Sequence, residues 1–497
     1  MQTDVDELKE SGGNGSGQNV NPVPRTEEMT QPVGMDADGS LWTAPGGLVD
    51  DPEANPPENT ATDFLGYTGI QFFDNGNIRA YSPIVNTTAW NERCRKVSAA
   101  LQSAAESAAL ASTDGVLAHE CSVSDVFSSG NLLLTWVENI DGTGADVPNH
   151  TGVTAVKGRM FTVGINPNFP SATPGLTAGG ISIIAQMGDE ATNTLTGETF
   201  TIQGGVGYQT SIDKKVLCGY VPGYAKLAGM TCTVTEQSGK PVATSRDTWT
   251  LTIDGELGEY DYSRLPDSLR NATLHPSNQV AKIGSTYYRA DVVPRNGFVV
   301  LSSSDLINWV YVGHAALPHG FDDKSAVEAC CGAKRSRLYV AVRQEPESAC
   351  LYLAKMNTDM HTINSCVALP DCGSKPCFSG ETSIGGKAAF YLATAPADRY
   401  GCRVYCIPSD YNLTHIYPAF ELHGRACNYP FIVNQGIDPA WLIVAGTNGA
   451  QTDKAGVCIV PASVYRNIVG QPGLPASTDN IVHTAEGAVA FGKLYGD

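Results

Sequence analysis

Residues 275–309 read HPSNQVAKIGSTYYRADVVPRNGFVVLSSSDLINW, and they decide the fold. Gly284 stands in a turn before TYYRADV, a short aromatic and β-branched run. PRNG supplies a second break, and GFVVLSS is a second apolar run. The polar SSDLINW closes the unit with a turn in which Asp305 can accept backbone N–H groups. The whole reads as antiparallel strands joined by tight turns, with no helical period.

The same unit returns three more times. TYYRADV is answered by RLYVAVR, AFYLATA and AWLIVAG, and Tyr288, Tyr339, Tyr391 and Leu442 lie 51, 52 and 51 residues apart. The runs that follow are GFVVLSS, ACLYLAK, GCRVYCI and GVCIVPA. Asp305, Asp359 and Asp410 hold one place in the next turn, where the fourth unit has Val464. A period near fifty residues with several strands per unit predicts blades of a β-propeller. One blade leaves both faces open, and stacking blades around an axis buries them. Trp309 is expected to pack between neighbouring blades. Four blades fit in 271–470, and a fifth has to come from upstream, or from upstream and the tail together.

Upstream, the chain divides by composition. Residues 1–62 are rich in Gly, Asn, Pro and acids, and predict a flexible attachment segment. Within it, DADG and SLWT predict a small hairpin. Residues 63–270 predict a β-rich region that can contribute a blade. GIQFFDNGNIRAY reads as two strands around Asn-Gly, and the Ala-rich stretch 91–112 as a helix. NLLLTWVEN, GRMFTVGIN, GISIIAQ, TFTIQGG, MTCTVTE and DTWTLTID read as strands. The fold class is therefore all-β, with a propeller over 271–497.

Composition narrows the function. A net charge of −19 argues against nucleic acid and against an anionic membrane surface as partners. No apolar run is long enough to span a bilayer. MQTDVDELKE has no basic start followed by an apolar run, so no signal peptide is expected. The 14 cysteines are then expected as reduced thiols, ten of them after residue 329. Their irregular spacing predicts no metal site, and nothing predicts a cofactor.

Two resemblances sharpen this reading. DELKESGG, NPVP and MTQPVGMDADGSLWTAPGG resemble linker segments of tail-fibre and baseplate proteins of phages and prophages. That resemblance implies a virion protein made in the host cytoplasm. It also implies attachment to other tail proteins through the N-terminal segment, and a homo-trimer. Gly284, Tyr287, Tyr288, Ser303, Asp305, Leu306, Asn308 and Trp309 resemble the first blade of five-bladed glycoside hydrolases of the arabinanase, xylosidase and invertase-like type. That family implies a base, a pKa-tuning acid and a general acid on successive inner strands, with binding of a bacterial surface polysaccharide or glycopolymer.

The base position falls at Ser277, or at His275 with a two-residue slip, and neither is a carboxylate. The modulator falls near Glu328 and the acid near Glu381. The fourth-blade position falls near Asn428, and Asp291 and the Asp322–Asp323 pair are the nearest substitutes for the base. Arg289 and Arg343 are candidate partners for these acids. General-base catalysis is worth about 10²–10⁴-fold, so its loss favours recognition over turnover. Active hydrolysis and a purely structural virion role are the alternatives.

Overall fold

The computed structural model describes residues 33–35, 41–43, 69–72, 78–81, 111–117, 119–125, 131–139, 154–163, 176–221, 228–269, 277, 279–293, 296–317, 326–334, 336–344, 350–370, 372, 376–378, 382–384, 387–395, 400–407, 413, 416–426, 431–433, 441–447, 454–461, 481–484 and 487–490. They are nearly all strand, and no α-helix occurs among the described residues.

Six sheets with a four-strand antiparallel core follow one another along the chain. The first holds His119–Asp125, Asn131–Asn139, Thr154–Val163 and Leu176–Gln186. The second holds Gly205–Ile212, Lys215–Val221, Ala228–Gln237 and Lys240–Thr248. The third holds Ala281–Ile283, Thr286–Val292, Phe298–Ser303 and Asn308–Ala315. The fourth holds Ala326–Lys334, Arg337–Gln344, Cys350–Met356 and Ile363–Pro370.

In the fifth, Cys377–Phe378 and Thr382–Ile384 both pair with Lys387–Thr394, followed by Tyr400–Ile407 and Tyr417–Ala426. The sixth takes Phe431–Val433, Trp441–Thr447 and Lys454–Pro461 from the C-terminal part. Its fourth strand is Ala111–Leu117, antiparallel to Lys454–Pro461. The inner strand of the first sheet also contacts Phe431–Val433 and Trp441–Thr447. The stack thus closes into a propeller ring.

The four expected repeats are the third to sixth sheets, with Tyr288, Tyr339 and Tyr391 in equivalent second strands. Among the described residues, two sheets lie upstream of these four, at 119–186 and 205–248. Of the expected helix, 91–110 lies outside the described residues. Ala111 and Ser112 open a strand instead. Thr113, Gly115 and Val116 favour that choice, because β-branched residues and Gly weaken a helix.

The seams between sheets hold the core. The second strand Arg337–Gln344 is buried on both faces. Leu338, Val340 and Val342 meet Ala290, Val292 and Phe298 of the third sheet. Tyr339 and Ala341 meet Leu392 and Tyr405 of the fifth. Burial on both faces explains why these strands read as continuous apolar runs rather than alternating ones. Trp309 is fully buried in the seam with the second sheet, beside Leu217, Trp249 and Tyr260.

Asp305 and Asp359 each fix one turn; Asp410 lies outside the described residues. Asp305 Oδ1 accepts the N–H groups of Ile307 and Asn308, both at 2.8 Å, with Leu306 at φ 68°. Asp359 Oδ1 accepts from His361 at 3.1 Å and Thr362 at 2.9 Å, with Met360 at φ 65°. Burial pushes the Asp305 carboxyl up. The N–H groups of Asn308 and Ile307 outweigh it and hold the group below the usual carboxylate value.

A carboxyl lowered in the folded state stabilises above its unfolded pKa of about 3.9, and the gain disappears as pH falls through the lowered value. Asp305→Asn is therefore expected to unfold earlier in urea at pH 7, with the gap to the parent chain closing below about pH 4. Urea titrations at both pH values check this, and a gap that persists undiminished in acid contradicts the carboxylate's role.

Candidate functional site

Each first strand follows the fourth strand of the sheet before it, so the starts of first strands and the ends of second strands share one end of the ring. Buried charge collects there. Glu138, Asp291 and Arg343 lie at or next to the C-terminal ends of three second strands. Glu328 is the third residue of a first strand, and Ser277 precedes another.

Asp291 is fully buried and its two oxygens take five donors. Oδ2 accepts from Tyr260 Oη at 2.7 Å, Tyr262 Oη at 2.9 Å and Arg289 Nη2 at 3.2 Å. Oδ1 accepts from Arg289 Nε at 2.9 Å and from the Ser277 N–H at 3.0 Å. The Arg289 guanidinium carbon sits 4.5 Å from the Trp249 ring centroid, 5.2 Å from Trp309 and 5.4 Å from Tyr260. Burial pushes Tyr260 and Tyr262 far above the ordinary phenol value, with the Asp291 charge adding to it. Both stay protonated donors at neutral pH.

Arg289 is raised despite burial, because Asp291 faces it. Arg289 and Asp291 were candidate ligand contacts. The structure spends both on the seam between the second and third sheets, with 1% and 0% exposure. Ser277 is buried too, and its Oγ donates to the Gln279 carbonyl at 2.5 Å.

Gln279 was not foreseen. Its Oε1 accepts the Phe378 N–H and its Nε2 donates to the Phe378 carbonyl, both at 2.7 Å. Its carbonyl accepts the Cys331 N–H at 3.2 Å. One residue thus ties the start of the third sheet to the inner strands of the fourth and fifth. Glu328 and Arg343 are brought together as expected, with Arg343 Nη1 donating to Glu328 Oε2 at 2.5 Å. Their side chains are 12% and 4% exposed. They are cross-strand partners next to a register shift at Ala326. A bulge of this kind re-aims side chains at a strand end.

Glu138 accepts from Trp136 Nε1 at 3.0 Å and from Lys157 Nζ at 2.5 Å at the matching place in the first sheet. His275, Asp322, Asp323, Glu381 and Asn428 lie outside the described residues. The aromatic partners of Arg289 carry a faint signal, Tyr260 and Tyr262 two apart after Trp249. Nothing in Gln279 or Glu138 marks them in a sequence.

Eight cysteines among the described residues are buried. No group of three or more His, Cys, Asp or Glu among the described residues is placed to hold a metal ion.

No protein-family model matches the sequence, and no curated protein matches it. Among solved structures, Trypanosoma rangeli sialidase aligns with a TM-score of 0.42 at 11% identity over 71% of this chain and 56% of that one. A protein of unknown function from Dyadobacter fermentans aligns at 0.43 and 12% identity, over 71% of this chain and 99% of that one. An α-L-arabinofuranosidase from Fusarium graminearum aligns at 0.38 and 11% identity, over 70% and 93%. The chain spans little more than half the length of the sialidases it matches. Similarity at this level carries neither activity nor site residues to this chain.

Removing one member of a buried ion pair costs about 3–5 kcal/mol, because the other is left uncompensated. Asp291→Leu and Arg289→Met are each expected to destabilise by that order in equilibrium urea unfolding. The double variant should lose less than the sum of the two. Additive losses would mean that the pair is not coupled.

Proposed function

We propose that this chain is a phage tail-associated receptor-binding protein whose propeller binds a bacterial surface glycan and turns it over slowly or not at all. Glu328 and Arg343 carry the reading. They form a carboxylate–guanidinium pair, with side chains 12% and 4% exposed, at strand ends near Ser277, where the family resemblance expects a carboxylate. Such a pair offers acceptors and donors to neighbouring sugar hydroxyls. Most glycoside hydrolysis uses two carboxyl groups facing one bond, one as acid and one as base or nucleophile. Asp291, the nearest alternative to Ser277, is saturated by its own donors. In this reading residues 1–62 attach the chain to other tail proteins, and the assembly is a homo-trimer.

Glu328→Gln keeps the shape of the side chain and removes its charge. Retention on purified envelope polysaccharide is expected to fall about tenfold, equivalent to about 1.4 kcal/mol. The urea midpoint, measured alongside, separates lost binding from lost folding. Prolonged incubation with the parent chain is expected to release no reducing sugar. Steady release by the parent chain would replace recognition with hydrolysis. Retention unchanged in a folded Glu328→Gln chain would remove this end of the ring from the binding surface.

A further inference from the structure

The first strands of the fourth and fifth sheets, Ala326–Lys334 and Cys377–Phe378, each pair with one neighbouring strand only. Backbone groups of both strands are taken by Gln279, which stands just before the first strand of the third sheet. Its carboxamide lies along Phe378 as a strand residue would, with Oε1 accepting the Phe378 N–H and Nε2 donating to the Phe378 carbonyl. Its own carbonyl accepts twice, from the Cys331 N–H at 3.2 Å and from Ser277 Oγ at 2.5 Å. The Ser277 N–H in turn donates to Asp291 Oδ1 at 3.0 Å. A chain of hydrogen bonds therefore runs from the buried Arg289–Asp291 pair, through Gln279, to the inner strands of two further sheets. Glu328 lies on one of those strands, three residues before Cys331 and about 10 Å along it. Its partner Arg343 belongs to a strand packed in two seams, with Val340 and Val342 in one and Tyr339 and Ala341 in the other. The strand of Glu328 is held less firmly, because its ladder to that neighbour shifts register between Ala326 and Glu328.

We propose that Gln279 is a positioning residue for the Glu328–Arg343 pair. By bonding the inner strands of the fourth and fifth sheets it fixes where the strand of Glu328 sits against the strand of Arg343, and so where a glycan meets the carboxylate. The role rests on the glycan-binding reading above. Arg343 is set by packing on both faces of its strand, and Glu328 is set by the clamp at Cys331. A binding pair works only when both members are held in place by neighbours that do not themselves touch the ligand. Glutamine suits the position because a carboxamide offers an acceptor and a donor to one backbone residue, which neither an aliphatic side chain nor an ionised carboxylate does.

Four full-length chains test this: the parent, Gln279→Met, Glu328→Gln and the double variant. Retention on purified envelope polysaccharide is measured beside the urea midpoint. Gln279→Met keeps the length of the side chain and loses its hydrogen bonds, and is expected to lower retention about fivefold, the weight of one net hydrogen bond. In the Glu328→Gln background the same change is expected to cost little more, because the carboxylate it positions is already gone. Gln279→Glu keeps the acceptor for the Phe378 N–H, so its retention is expected to fall between the parent and Gln279→Met. It replaces Gln279→Met in the cycle if that chain does not fold. Losses that multiply in the double variant overturn the proposal while leaving the glycan reading intact. A lowered urea midpoint with retention of the folded chain unchanged overturns it too, and makes Gln279 a strut between sheets. A parent chain that is not retained, or a folded Glu328→Gln chain retained as well as the parent, removes the glycan reading and this role with it.

Discussion

A row of twisted sheets stacked face to face leaves two faces bare unless the last sheet meets the first, and every other feature of this molecule depends on that closure. The strand Ala111–Leu117 completes the sheet built from Phe431–Val433, Trp441–Thr447 and Lys454–Pro461. Chain segments more than 300 residues apart therefore share one ladder. With the ring shut, a second strand such as Arg337–Gln344 is buried on both faces. Each seam can then carry a cluster of its own.

Closure sets the chemistry as well. The wedge between sheets is narrow at the axis, where inner strands meet through side chains more than through ladders. Ser122 and Ser211 approach across the first seam at 3.2 Å, and Gln279 spans the third, fourth and fifth sheets. A polar group buried in such a place costs free energy unless it is satisfied, and Ser122, Ser211 and Gln279 each have partners. The Arg289–Asp291 pair is the strongest case. Two phenols, a backbone N–H and three aromatic rings surround it, so the charge is compensated where water is excluded.

The sequence made the repeat legible where aromatic strands kept step. Tyr288, Tyr339 and Tyr391 mark one strand position, and Asp305 and Asp359 mark one turn geometry. The GIQFFDNGNIRAY hairpin was legible from its Asn-Gly turn. The two upstream sheets kept neither marker. Fourteen residues separate Asn139 from Thr154, and an edge hairpin interrupts the chain between Gln186 and Gly205, so the spacing lost its period. DTWTLTID read as one strand, but the chain changes sheets at Trp249. The site was less legible for a related reason. In strands buried on both faces, alternation does not tell which polar side chain meets water, and Arg289 and Asp291 turned out to face the seam rather than the axis.

Amide hydrogen exchange across the closing ladder tests the ring most directly. Ala111–Leu117 and Lys454–Pro461 are expected to be protected together and to lose protection together as urea is raised. Free exchange of 111–117 beside a protected 454–461 would contradict the closed ring, and with it the burial of every seam that depends on closure.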